Sequence, residues 1–194
     1  MEVEIDRHLF VGGSDVPIIM GLSPFKSRYE LLLEKAELVN NEFFGNIWTD
    51  YGNVLEPKIR DYWNSKWDGK PFIEVQKILG NYRYNADGFD GTSILEIKTT
   101  SQIKKTIKGY KSYVVQLLFG MMINEVKQGI LLIYERPKDF NEEFDKNRLQ
   151  EFLIKIDDYK ELCDEINLEV EKFLKDLEKV KANPLISEEE LYAI

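Results

Sequence analysis

Asn85-Ala86-Asp87-Gly88-Phe89-Asp90-Gly91-Thr92-Ser93-Ile94-Leu95-Glu96-Ile97-Lys98-Thr99 decides how this chain is read. Asp87-Gly88 and Asp90-Gly91 are turn signals, and residues 93–99 form a short apolar strand interrupted by charge. Glu96 and Lys98 stand two apart, so on a strand they project from one face. Charges in an apolar strand are costly to bury without a partner or a task. A hairpin can bring Asp87 beside Glu96. Two carboxylates so placed repel unless a cation sits between them.

A divalent metal answers that need, and it can activate water and neutralise a phosphodiester oxygen. The lysine adds a positive donor for the attacking water or the developing charge. The acid-x-Lys pattern alone is weak, because Glu56-Pro57-Lys58, Asp68-Gly69-Lys70, Glu125-Val126-Lys127 and Asp158-Tyr159-Lys160 also carry it. Only Glu96 lies in an apolar strand behind an Asp-Gly turn. On spacing alone, a strand with one solvent-facing salt bridge explains the pattern equally well.

The flanking segments outline the rest. Gly12-Gly13 is a turn, and Ser14 is placed to cap a short helix that runs through Met20 and stops at Gly21. Ser27-Arg28-Tyr29-Glu30 has capping-box spacing and opens a helix to about Leu38. Residues 48–66 carry Trp48, Leu55, Ile59, Tyr62 and Trp63 at helical intervals. Residues 72–79 and 81–85 alternate as two strands joined at Gly80-Asn81. Residues 112–124 are a mostly apolar helix, and the run at 129–134 is that of a central strand. Residues 141–182 read as one acidic helical segment stopped by Asn183-Pro184. The order predicts an α/β (α+β) fold, one sheet flanked by helices, in a single domain over 1–194.

Composition narrows the chemistry. The single cysteine, Cys163, excludes an intrachain disulfide and cysteine-ligated clusters, and a single histidine, His8, excludes histidine-rich metal sites. Cys163 sits among Tyr159, Leu162 and Ile166 as a packing residue. A catalytic metal is therefore held mainly by oxygen, which points to Mg²⁺ or Mn²⁺. The net charge of −9 is unevenly spread: residues 141–194 hold 16 acidic and 8 basic residues, so residues 1–140 are nearly neutral. Residues 98–111 carry five lysines and no acid. A basic face of that kind suits phosphate contact. No apolar run approaches the roughly 20 residues that span a bilayer. The acidic N-terminus does not read as a signal peptide, so the expected location is cytoplasmic.

Ala86-Asp87-Gly88 followed by Leu95-Glu96-Ile97-Lys98-Thr99 resembles the active-site signature of the PD-(D/E)xK nucleases. More narrowly, it resembles the YqaJ-like viral recombinase branch, to which lambda exonuclease belongs. Further segments agree in order. They are Gly12-Gly13-Ser14-Asp15 with Ile19-Met20-Gly21-Leu22-Ser23-Pro24-Phe25, Gly52-Asn53-Val54-Leu55-Glu56, Tyr113-Val114-Val115-Gln116 and Ile133-Tyr134-Glu135-Arg136. Asp87 follows alanine where the superfamily pattern has proline.

The resemblance implies a restriction-endonuclease-like core with a central mixed sheet flanked by helices. It implies a metal bound by Asp87, Glu96 and the Ile97 carbonyl, with Glu56 reaching in directly or through water. Lys98 would orient and help deprotonate the attacking water, and Gln116 would position the lysine or the nucleophile. The implied activity is 5′-to-3′ exonuclease action on double-stranded DNA ends. The implied setting is phage-type recombination, with a single-strand annealing protein as partner and a homotrimer as assembly. Arg7 and Ser14 resemble the residues that hold the 5′-phosphate. Lys104, Lys105 and Lys108, with Lys111, are candidates for contact with the DNA backbone. A PD-(D/E)xK endonuclease and a non-catalytic DNA-binding module on the same fold are the rival readings. A Cas4-like exonuclease would need cysteines that this chain lacks.

Overall fold

The computed structural model describes residues 6–40 and 46–193. The acidic residues 1–5, read above against a signal peptide, lie outside them. The described elements run β1 (Val11–Gly12), α1 (Val16–Ile19), α2 (Arg28–Lys35), α3 (Ile47–Lys66), β2 (Ile73–Leu79), β3 (Tyr82–Phe89), β4 (Ser93–Thr100), α4 (Lys111–Asn124), β5 (Gln128–Glu135), β6 (Leu149–Lys155), α5 (Lys160–Ala182) and α6 (Glu188–Tyr192). The described strands form one six-stranded mixed sheet in the order β1-β3-β4-β5-β6, with β2 on the remaining edge of β3. β4 and β5 are parallel and joined through α4, while β2–β3, β3–β4 and β5–β6 are antiparallel.

The alternation of side chains along β4 and β5 divides the core into two layers. Ile94, Leu131 and Ile133 face α1, α2, α4 and α5, while Leu95, Ile97, Ile130, Leu132 and Tyr134 face α3. Both faces of β5 are buried, as its uninterrupted apolar run requires. The acidic face of α5 stays in water, and Cys163, Ile166, Val170, Phe173, Leu177 and Val180 pack inward. No described helix is long and apolar enough to cross a membrane.

Several local readings hold. Ser27 and Glu30 form the capping box, with Ser27 Oγ accepting the Glu30 N–H at 3.1 Å and a Glu30 carboxylate oxygen accepting the Ser27 N–H at 2.6 Å. Gly21 ends the first helical segment at a φ of +68°, a conformation that glycine adopts without penalty.

Four readings are corrected. Asp87-Gly88 is not a turn but part of β3. Gly88 is needed there because a Cβ would sit 2.8 Å from that of Phe72 and 3.0 Å from that of Leu95. The turn is made at Asp90, whose carboxylate accepts the N–H groups of Thr92 and Ser93 at 2.8 and 2.7 Å. Residues 141–182 are not one helical segment, because β6 closes the open edge of β5 and α5 begins only at Lys160. Ser14 does not cap: the first turn is a 3₁₀ turn whose Gly12 N–H is accepted by Asp15 at 2.8 Å. Trp48, set at helical spacing with Leu55, Ile59 and Trp63, does not share their burial, and Tyr51 packs with them instead.

Candidate active site

The site forms where β3 and β4 part. Their ladder pairs Phe89 with Ile94 and Gly88 with Leu95. One step further, a carboxylate oxygen of Asp87 accepts the N–H of Ile97 at 2.7 Å. Asp87 thus continues the ladder with its side chain, which fixes it against β4 at the level of Glu96 and Lys98. The hairpin expected to join Asp87 to Glu96 is present, with its turn displaced to residues 90–92.

Glu96 is only 1% exposed and receives donors from three elements. Its Oε1 accepts from the Gln116 amide on α4 at 2.8 Å and from Lys98 Nζ at 2.7 Å. Its Oε2 accepts from the Tyr84 hydroxyl on β3. Burial of a carboxylate is tolerable when its lone pairs are met in this way.

Glu56 enters from α3. Arg60, one turn along, donates to Glu56 at 3.1 Å, to the Asp87 backbone carbonyl at 2.6 Å, and to Glu74 on β2. Arg60 therefore ties the helix to the strand that bears Asp87. Sequence spacing alone marks it only as an i, i+4 partner of Glu56.

The electrostatics are those of crowded acids. Burial, then the neighbouring Glu96 and Glu56, push the Asp87 carboxyl well above the usual range, against the pull of Lys98 and the Ile97 N–H. Burial also raises Glu56, opposed by Arg60. At Lys98 burial acts to lower the ammonium, but Glu96 and Asp87 together outweigh it and hold the pKa above its ordinary value.

Among the described residues, no three Asp, Glu, His or Cys side chains come together closely enough to enclose a metal ion by themselves. The donor set still fits a hard cation. Asp87 and Glu96 crowd one another electrostatically, and Ile97 borders the groove that opens beside them. A cation held by two carboxylates and a carbonyl keeps water in its other positions, as Mg²⁺ commonly does. Glu56, tied to Arg60, borders the same groove from α3.

An open groove of about 1230 Å³ runs over the site, with Lys26, Trp48, Glu56, Lys98, Arg136 and Lys138 among its lining. Arg136 and Lys138 follow the C-terminal end of β5, parallel and adjacent to the strand that carries Lys98. Ligands of α/β sheets gather at such ends. The sequence reading missed this basic rim. It favoured Lys104, Lys105 and Lys108, which are exposed beyond β4 and do not line the groove. The signal was the Arg136-Pro137-Lys138 triplet directly after the central strand.

Arg7 and Ser14 do meet, with a guanidinium N–H donating to the Ser14 hydroxyl at 3.4 Å. Arg7 also lies 3.7 Å from the buried Asp15. Their link to the site is Gly13, where a Cβ would approach Tyr84 within 2.7 Å and Gln116 within 3.4 Å.

Residues 4–127 match the YqaJ-like viral recombinase domain. No curated protein matches the chain by sequence. Among solved structures, a phage-related exonuclease from Haemophilus somnus 129PT is 19% identical, with 91% of this chain and 97% of that one covered and a TM-score of 0.69. The alkaline exonuclease LHK-Exo from Laribacter hongkongensis is 23% identical over 93% of this chain and 96% of that one, at a TM-score of 0.60. LHK-Exo in complex with dAMP aligns at a TM-score of 0.62 and 22% identity, covering 90% and 91%. These likenesses establish a shared fold, the central mixed sheet with flanking helices.

Proposed function

The chain belongs to the YqaJ-like viral recombinase domain family, and from that premise we propose that it is a metal-dependent nuclease shortening double-stranded DNA from its ends, 5′ to 3′. The observation that carries this reading is the meeting of Asp87, Glu96 and Lys98 beside a groove with a basic rim. Structural neighbours that are exonucleases support end-dependent action over internal cutting. The proximity of Arg7 and Ser14 supports a 5′-phosphate contact, and hence the polarity.

Asp87, Glu96 and the Ile97 carbonyl would hold Mg²⁺ or Mn²⁺, with Glu56 reaching in directly or through water. The metal would supply charge neutralisation at the phosphodiester and a more acidic water. Gln116 keeps Glu96 in place through its amide. Lys98 reaches Glu96 at 2.7 Å and lines the groove. It acts as a donor, orienting the attacking water and stabilising charge on the phosphoryl oxygens. The resemblance adds a share in deprotonating that water. Lys26, Arg136 and Lys138 would meet backbone phosphates.

The test is degradation of linear 5′-phosphorylated duplex DNA with Mg²⁺, against closed circular plasmid, EDTA and Lys98→Ala. Loss of the linear duplex alone, stopped by EDTA and by Lys98→Ala, is the expected result. Cutting of the circle would replace this reading with an endonuclease. Absence of metal-dependent cleavage by folded protein would favour a DNA-binding module. The same reading includes a homotrimer and a single-strand annealing protein as partner. A solution mass equal to one chain counts against the trimer.

A further inference from the structure

Tyr84 was not singled out by any motif, yet it is among the most completely buried large side chains, 1% exposed. Its ring fills a slot left by two glycines from separate parts of the chain. At Gly13 a Cβ would come within 2.7 Å of the ring, and at Gly120 within 2.6 Å of Cε2. Gly120 lies mid-way through α4, where glycine costs helix stability and packing contacts. A glycine in that position makes sense as room for the ring.

The slot aims the hydroxyl at one atom, Oε2 of Glu96. The other carboxylate oxygen is taken by Gln116 and Lys98. A carboxylate oxygen accepts and the phenol O–H donates, so the hydrogen bond runs from Tyr84 to Glu96. A carboxylate gripped on one oxygen alone can rotate about its last bond. A donor on each oxygen fixes its plane.

We propose that Tyr84 is a positioning residue that sets the plane of the Glu96 carboxylate for binding the divalent metal. The inference rests on the metal-dependent reading above. A group that orients a metal ligand typically changes metal affinity or activity by about 10- to 100-fold when it is lost. The effect should fall on the metal and leave DNA affinity alone, because Tyr84 lies behind Glu96 and does not line the groove.

The experiment measures Mn²⁺ binding by calorimetry for the wild-type chain and Tyr84→Phe, with duplex cleavage followed across Mg²⁺ concentrations. The expected result is a Kd for Mn²⁺ raised by about 10-fold or more. Lowered cleavage should recover as Mg²⁺ is raised, with KM for DNA unchanged. 4-Methylphenylalanine at position 84 fills the volume of the hydroxyl without a donor, so it covers the case in which Tyr84→Phe does not fold. 4-Aminophenylalanine at the same position restores a donor and should recover affinity. Wild-type Mn²⁺ affinity in the donor-free variants, with wild-type protein binding Mn²⁺ and cleaving, would overturn this inference alone. Absence of Mn²⁺ binding by the wild-type chain would overturn the metal-dependent reading and this inference with it.

Discussion

Gln116 and Glu96 meet across 2.8 Å, an amide N–H on α4 donating to a carboxylate oxygen on β4. Most of the surrounding positions on α4 are apolar and buried, so the amide has been carried into the core to reach that oxygen. Replacing it by an isosteric apolar group, Gln116→Leu, leaves Oε1 with Lys98 alone. A hydrogen bond to a charged group contributes roughly 1.5–3 kcal/mol, and chemical denaturation should show a loss of that size. Cleavage should fall by about 10- to 100-fold, as is usual for a group that orients a metal ligand. Unchanged kcat in Gln116→Leu would remove the amide from the site.

Lys98 competes with any metal for Glu96, since its ammonium sits 2.7 Å from Oε1. Lys98→Ala should therefore lower kcat by about 10² to 10³, the usual cost of losing a donor to developing charge. It should also leave Mn²⁺ bound as tightly as in the wild type, or more tightly. Calorimetry and single-turnover cleavage on the same preparation separate the two effects. Weaker Mn²⁺ binding in Lys98→Ala would mean that the lysine organises the metal site and does not merely act beside it.

Asp87 gives a pH dependence whose sign can be worked out. Burial, with Glu96 and Glu56 nearby, raises its folded-state pKa well above the unfolded value. Between those two values the folded state binds more protons than the unfolded, so stability falls as pH rises through the window. In EDTA the wild-type chain should lose stability as pH is raised from the ordinary aspartate range toward the raised folded-state pKa of Asp87. Asp87→Asn keeps an acceptor for the Ile97 N–H and removes the charge. It should melt higher than wild type in EDTA at neutral pH, and with Mg²⁺ it should show neither added stability nor cleavage. A lower melting temperature in EDTA would show that the carboxylate is not the source of strain.

The two sets of basic residues can be separated by salt. Arg136 and Lys138 line the groove, whereas Lys104, Lys105 and Lys108 do not. Removing one cation that meets a phosphate should reduce the slope of log affinity against log salt by roughly 0.9. Arg136→Ala with Lys138→Ala should lower it by about two such steps and raise KM, with kcat little changed. The triple alanine variant at 104, 105 and 108 should move it less. The reverse order would restore the loop lysines to the DNA path.

These differences mark what the linear sequence could carry. Asp87, Glu96 and Lys98 were legible because one strand pair brings them together through short-range pairing. Gln116 lies 20 residues from Glu96 and is brought back by the β4–α4–β5 crossover. Only the ordered family resemblance linked the two. β6 was hidden because a half-exposed edge strand and an amphipathic helix both place apolar residues at intervals that satisfy either period over seven residues. The open edge of β5 decides between them, and that edge is a tertiary fact. Gly88 read as a turn because glycine has two uses, positive φ and close approach, which sequence cannot tell apart.

The glycine slot around Tyr84 gives the last prediction. Gly120→Ala adds the methyl that a helix ordinarily prefers, worth about 1 kcal/mol on propensity alone. That methyl would overlap the Tyr84 ring, with Cε2 only 2.6 Å away. The ring cannot yield easily, because Gly13 also crowds it and its hydroxyl is bound to Glu96. Overpacking a filled core costs about 1–3 kcal/mol and sometimes more, so the net effect should be a loss of stability despite the helix preference. Pairing Gly120→Ala with Tyr84→Leu removes the para ring atoms and should recover part of that loss in urea denaturation. The recovered protein should still cleave poorly, since it lacks the donor to Glu96. Gly120→Ala more stable than wild type, with cleavage intact, would show that the ring has freedom the packing denies it.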